Sequence, residues 1–149
     1  GDGIQAALEA GFQEVHSIEL SFKYYGIVKK RFKKNPRVHL TLGDSGSQLA
    51  RVIALINEPI TFWLDGHWSS GDTAFGGMIT PIMQELNTIS LHPIKTHTIL
   101  IDDIRCCGQP FGGITLNDII AKLYEINPNY TISYENGVVE KDVLVASIK

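Results

Sequence analysis

The sequence predicts an α/β fold: a mostly parallel sheet with helices on both faces, three layers in all, closed by an antiparallel hairpin at the carboxyl end. Three observations predict it. Short apolar runs alternate with stretches of helical periodicity along the chain. Acids follow four of the runs, at Glu19, Asp44, Asp65 and Asp102. The last two runs, 130–134 and 143–148, have no helix between them, and Asn136-Gly137 is a hairpin signal.

The elements follow in order. Ile4, Ala7 and Leu8 recur at helical spacing, and Gly11 stops that short helix. Val15 to Leu20 is a strand. Ser21 caps a helix carrying Tyr24, Tyr25, Ile27, Val28 and Phe32, which ends by Asn35-Pro36. Val38 to Leu42 is the next strand. Leu49, Val52, Ile53 and Ile56 define an amphipathic helix that ends before Pro59. Ile60 to Leu64 is a continuous apolar run, read as a strand buried on both faces. Glycines and small polar residues follow, and Trp68 to Gly77 reads as a closing loop. Thr80-Pro81 starts a helix lined by Ile82, Leu86 and Ile89. His97 to Asp103 is a buried strand ending in acids. Thr115 and Asp118 form a capping box for a helix carrying Leu116, Ile119, Ile120, Leu123 and Ile126.

At 149 residues the chain is the length of one domain with a real core. Its 44% apolar and 19% charged content is that of an ordinary globular protein. No apolar run approaches the roughly 18 residues that would span a membrane. Gly1-Asp2-Gly3-Ile4 shows no basic segment leading an apolar one, so no secretory leader is expected. Cys106 and Cys107 are adjacent, with Cα atoms about 3.8 Å apart across a trans peptide, too close for an ordinary disulfide. Free thiols point to a reducing compartment, the cytoplasm.

The strand ends carry the candidate chemistry, because open α/β sheets bind ligands there. A carboxylate in that position can accept both hydroxyls of a vicinal diol, and glycines let backbone approach a ligand closely. Asp65 and His67, in Leu64-Asp65-Gly66-His67-Trp68, stand where a polar strand end meets a loop.

This pattern resembles the class I S-adenosylmethionine-dependent methyltransferases, which share a Rossmann-like sheet ending in such a hairpin. Gly1-Asp2-Gly3 resembles the tail of that family's glycine-rich first loop, so Gly1 and Gly3 would contact the cofactor. Glu19, with Leu20 after it, resembles the acid that takes the ribose hydroxyls. Asp44 and Ser45 resemble the residues near the adenine, and Asp65 the acid after the fourth strand. The resemblance implies S-adenosylmethionine as cofactor and a small-molecule hydroxyl, on a sugar or a phenol, as methyl acceptor. It also implies a central strand ahead of Gly1, so these residues would form a domain that lacks its first strand.

Asp65, Asp102 and Asp103 resemble the metal-dependent branch of that family, which includes catechol O-methyltransferases and cephalosporin-hydroxylase-like proteins. In that reading they hold Mg²⁺, which lowers the pKa of the acceptor hydroxyl, and His67 takes its proton. Asp103 stands where the family usually has Asn, and Gly66 shifts His67 from the pattern. In the alternative reading Asp102 and Asp103 are loop acids, one paired with Arg105, and His67 caps the loop.

Lys29, Lys30, Arg31, Lys33, Lys34 and Arg37 form a basic cluster in a chain of net charge −3. It reads as a solvated helix face favoured by the helix dipole, or as a phosphate-binding face. Trp63 reads as core, and Trp68 as a residue of the closing loop that would stack on a substrate or on adenine. His16, His39, His92 and His97 are scattered without metal-ligand spacing. Nucleic acid is not the expected partner, since the Asn/Asp-Pro-Pro-aromatic signature of base-amine methylation is absent. A nucleic-acid methyltransferase and a non-catalytic nucleotide-binding or assembly module are the other two readings. An exposed final hairpin would suit a homodimer.

Overall fold

The computed structural model describes residues 1–66 and 80–149. His67, Trp68 and the rest of the expected closing loop to Gly77 lie outside the described residues. Five α-helices and six strands alternate in the expected order: α1 (Asp2–Glu9), β1 (Val15–Glu19), α2 (Phe22–Arg31), β2 (Val38–Leu42), α3 (Ser45–Ile53), β3 (Thr61–Leu64), α4 (Ile82–Leu91), β4 (Thr98–Ile101), α5 (Leu116–Ile126), β5 (Thr131–Glu135) and β6 (Val143–Ser147).

Local signals explain most boundaries. Ser21 accepts a hydrogen bond from the Tyr24 N–H and starts α2. Asp44 does the same for α3 through the Ser47 N–H, 2.9 Å away. Thr115 and Asp118 form the reciprocal capping box of α5. Helix α4 begins one residue later than the sequence suggested. Pro81 is its cap residue, and the Thr80 hydroxyl accepts from the Ile82 N–H at 3.3 Å.

The strands do not form one sheet. Among the described residues β1 and β2 make a two-stranded parallel sheet, and the other four make a second sheet in the order β3-β4-β6-β5. β3 and β4 are parallel, while β6 runs antiparallel to both β4 and β5. Among the described residues each of β1 and β3 pairs on one side only.

The register of the larger sheet sorts its side chains into rows. Phe62, Ile99 and Ala146 share one row, and Leu64, Ile101 and Leu144 the next. All six are buried in one cluster with Leu49 and Ile53 of α3, Leu86 and Ile89 of α4, and Ile119 and Leu123 of α5. Helices α3, α4 and α5 therefore share one face of this sheet. The intervening row runs Trp63, Leu100, Val145 and Ser133, and Trp63 is 57% exposed.

Two expectations are corrected here. β3 is buried on one face, and Trp63 is not a core residue: a four-residue apolar run carries no period by which to tell one covered face from two. Among the described residues the three-layer arrangement is seen around β1 and β2. There α1 and α2 cover one face through Ile4, Val28 and Phe32, packed on Val15, Val38 and Leu40. Ile18 packs on the larger cluster, beside α3.

The closing hairpin is present, with a longer connection than Asn136-Gly137 suggested. Residues 136–142 join β5 to β6, the Asn136 side chain accepts from the Lys141 N–H, and Lys141 takes the left-handed conformation at φ 55°. No described helix is long and apolar enough to cross a membrane.

Candidate functional site

A cleft of about 130 Å³ opens beside the carboxyl end of β1. Gly1 and Gly3 from the start of α1 line it together with Ser17 and Glu19 of β1 and Tyr25 of α2. These contributors belong together for local reasons. Ser17 and Glu19 alternate with His16 and Ile18, so they share the face covered by α1 and α2. Asp2 pairs with Arg31 at 2.6 Å and ties the start of α1 to the end of α2. The Arg31 guanidinium holds the Asp2 carboxyl below its usual range. Gly3 lies within α1 rather than in a loop, and a Cβ built there would meet nothing within 4 Å. One oxygen of Glu19 accepts from the Ser21 N–H at 2.8 Å. Sites that enclose a whole small ligand run to about 300–1,000 Å³, so this cleft suits one portion of a nucleoside, such as a sugar.

Asp44 lies at the neighbouring strand end. Glu19 is in register with Leu42, and the Gly43 N–H donates to the Glu19 carbonyl at 3.0 Å. Asp44 is committed through Oδ2 to capping α3. Leu20 is 36% exposed and does not line the cleft.

Asp65 belongs to a different constellation, one that includes a residue the sequence reading missed. Leu64 and Ile101 are in register, so Asp65 and Asp102 follow paired positions. Both line a cavity of about 10 Å³ with Thr80, Glu85 and Phe111. That is room for about one water. Glu85, in the first turn of α4, is 3% exposed. Burial pushes its carboxyl up, the hydrogen bond from Ser45 opposes this, and the charges of Asp44 and Asp65 raise it further. Gly66 lets β3 end against this group: a Cβ there would lie 2.9 Å from Pro81 and 3.1 Å from the Ser45 hydroxyl. Ile82, Leu86 and Ile89 mark the buried stripe of α4. An acid at 85 falls on that stripe, and this was the available signal.

Asp102 and Asp103 converge with Asp142, their ligand atoms lying within 4.8 Å of one another. Asp65 does not join them. Arg105 forms ion pairs with both Asp103 and Asp142, and its backbone N–H donates to Asp142 at 2.9 Å. Asp103 sits at φ 57°, with its own N–H donating to the Asp102 side chain at 2.8 Å. A guanidinium thus already serves the acids that were candidates for Mg²⁺. This is the ion-paired arrangement of the alternative reading.

The histidines are not scattered. His16 and His39 are in-register partners on β1 and β2 and stack with ring centroids 4.6 Å apart. His92 and His97 form a buried hydrogen-bonded pair. Their separation along the chain hid both pairs, because strand register and a helix-to-strand connection bring them together.

No known family profile matches the chain. No curated protein matches it either. Among solved structures, the chain is similar to one described as a "putative rRNA-methylase" from Clostridium thermocellum. That likeness has a TM-score of 0.47 and 16% identity over 89% of this chain and 73% of the other.

Proposed function

We propose that the chain is an S-adenosylmethionine-dependent methyltransferase domain. The observation that carries this reading is the cleft in which Gly1, Gly3 and Glu19 meet beside a strand end. A carboxylate there would accept hydroxyls of the cofactor ribose, and the glycine-bearing start of α1 would let backbone approach it. S-adenosylmethionine, when bound, supplies an activated methyl group. Asp65, exposed at the end of β3, would orient the acceptor hydroxyl and take its proton. Glu85 lies buried behind it, its carboxyl pushed up by that burial. His67 is a second candidate base. The acceptor in this reading is a hydroxyl on a small molecule.

Calorimetric titration with S-adenosylmethionine, with and without Mg²⁺, tests it. Glu19→Ala would weaken binding about 10- to 100-fold, the worth of hydrogen bonds to a charged group. Equal affinity in the parent and the variant would sink the reading.

One observation favours RNA as the acceptor instead. Lys30, Lys33 and Lys34 are exposed at the end of α2 and just beyond it, and at its start Lys23 Nζ lies over the exposed Tyr24 ring, 5.3 Å from the centroid. Cations beside aromatic faces suit single-stranded nucleic acid. RNA affinity that falls steeply with salt, and is lost in a Lys30/Lys33/Lys34→Ala variant, would favour it.

A further inference from the structure

We propose that Glu14, His16 and His39 form a surface site for a divalent transition-metal ion of the zinc class. The site is independent of the methyltransferase reading. His16 and His39 occupy the second positions of β1 and β2, which pair in parallel with these two residues in register. Equivalent register puts both imidazoles on the same face of the sheet, the one opposite Ser17 and Glu19. A ligand here therefore leaves the cleft free.

The donor atoms converge. The rings stack with an interplanar angle of 20°. Glu14, one residue before β1, places Oε2 3.5 Å from Nε2 of His16 and 3.8 Å from Nε2 of His39. The three ligand atoms all lie within 4.8 Å of one another. Tetrahedral zinc, with bonds of about 2.0–2.2 Å, separates its ligands by roughly 3.4 Å. The two rings must turn out of their stack so that both Nε2 lone pairs aim at one ion, and their exposed positions leave room for that rotation.

The donor set selects the ion. Two imidazoles and a carboxylate suit zinc, nickel and copper, whereas magnesium and calcium want oxygen alone. The side chains of His16, His39 and Glu14 are 30%, 46% and 66% exposed, so an ion can enter from solvent and keep water in its remaining positions. Because two of the three ligands sit on neighbouring strands, binding would also clamp β1 to β2.

The rival arrangement is a histidine pair held by Glu14 through hydrogen bonds alone. Zinc titration of the whole chain by calorimetry near pH 7.5 separates the two. The expected result is one zinc per chain, with affinity falling at least tenfold in His16→Asn and in His39→Asn. Cobalt should give visible ligand-field absorption in the parent, weakened in both variants. Cys106→Ser/Cys107→Ser, which removes both thiols of the chain, should leave zinc affinity unchanged. The ligands are surface side chains, so the variants should keep the parent's circular dichroism. The proposal is overturned if the parent binds no zinc, or if His16→Asn/His39→Asn binds it as tightly as the parent.

Discussion

His97 Nε2 lies 3.0 Å from His92 Nδ1, and the other partners of the two rings fix the direction of the hydrogen bond between them. The Ile60 N–H donates to His97 Nδ1 at 3.0 Å, so that nitrogen carries no proton. His97 must then donate through Nε2 to His92 Nδ1. His92 Nε2 donates in turn to the Ile56 carbonyl at 3.0 Å. Two neutral imidazoles thus join the entry of β3 to the end of α4 and the entry of β4, in a fully buried position for His97.

This relay makes the fold acid-sensitive. Burial, followed by electrostatic coupling to His92 and Lys95, pushes the His97 pKa down from 6.5 to about 4. Below about 6.5 the unfolded chain binds a proton that the folded chain refuses. Stability therefore falls as pH drops from about 6.5 to about 4, by at most about 3 kcal/mol. His97→Gln keeps an acceptor for the Ile60 N–H and removes the titration. Denaturant unfolding between pH 7 and 4.5 should show a flatter acid limb for the variant, at a cost of about 1–2 kcal/mol at neutral pH. Parallel pH profiles would refute the assignment.

Glu85 works in the opposite sense. Its folded pKa is raised by burial and by Asp44 and Asp65. The group's contribution is present below its unfolded value and is lost as pH rises through the folded value. Glu85→Gln cannot ionise and fills nearly the same volume. The melting temperature of the variant should gain on the parent as pH rises from about 4.5, and Asp65→Asn should reproduce part of that gain. A constant difference across pH would mean that Glu85 is not the titrating group.

What could be read in the sequence was what is local. Ser21, Asp44 and the Thr115–Asp118 box mark helix starts because a cap bonds within three residues of itself. Element order followed from periodicity. The remainder depends on pairing. Whether Trp63 is covered is decided by what packs on the sheet's second face. Asp142 meets Asp102 and Asp103 only because β6 lies beside β4. Glu85 shows in the sequence only as an acid on the apolar stripe of Ile82, Leu86 and Ile89.

Tyr130 offers a simpler test of the core. It is 4% exposed, and its hydroxyl has no hydrogen-bond partner among the described residues. Burial pushes its pKa up to about 12. A buried hydroxyl without a partner costs about 1–3 kcal/mol. Tyr130→Phe removes that group and keeps the ring in the cluster, so it should be neutral or stabilising by about 1 kcal/mol in urea unfolding. A loss above 1 kcal/mol would show that the hydroxyl is bonded in solution.

Arg105 decides the character of the acidic cluster. It is half-exposed, while Asp142 is 3% exposed, and it pairs with both Asp103 and Asp142. Arg105→Ala leaves Asp142 buried beside two other acids with no guanidinium to offset them. Removing one partner of a buried pair costs about 3–5 kcal/mol, and solvent access to the arginine should reduce this to about 2. The vacated centre would then offer three carboxylates to a hard cation. Millimolar Mg²⁺ or Ca²⁺ should raise the melting temperature of Arg105→Ala and leave the parent nearly unchanged, since in the parent the guanidinium holds the position. Equal stabilisation of both proteins would show that the cation binds without displacing Arg105. It would return Asp102 and Asp103 to the role of metal ligands in the native protein.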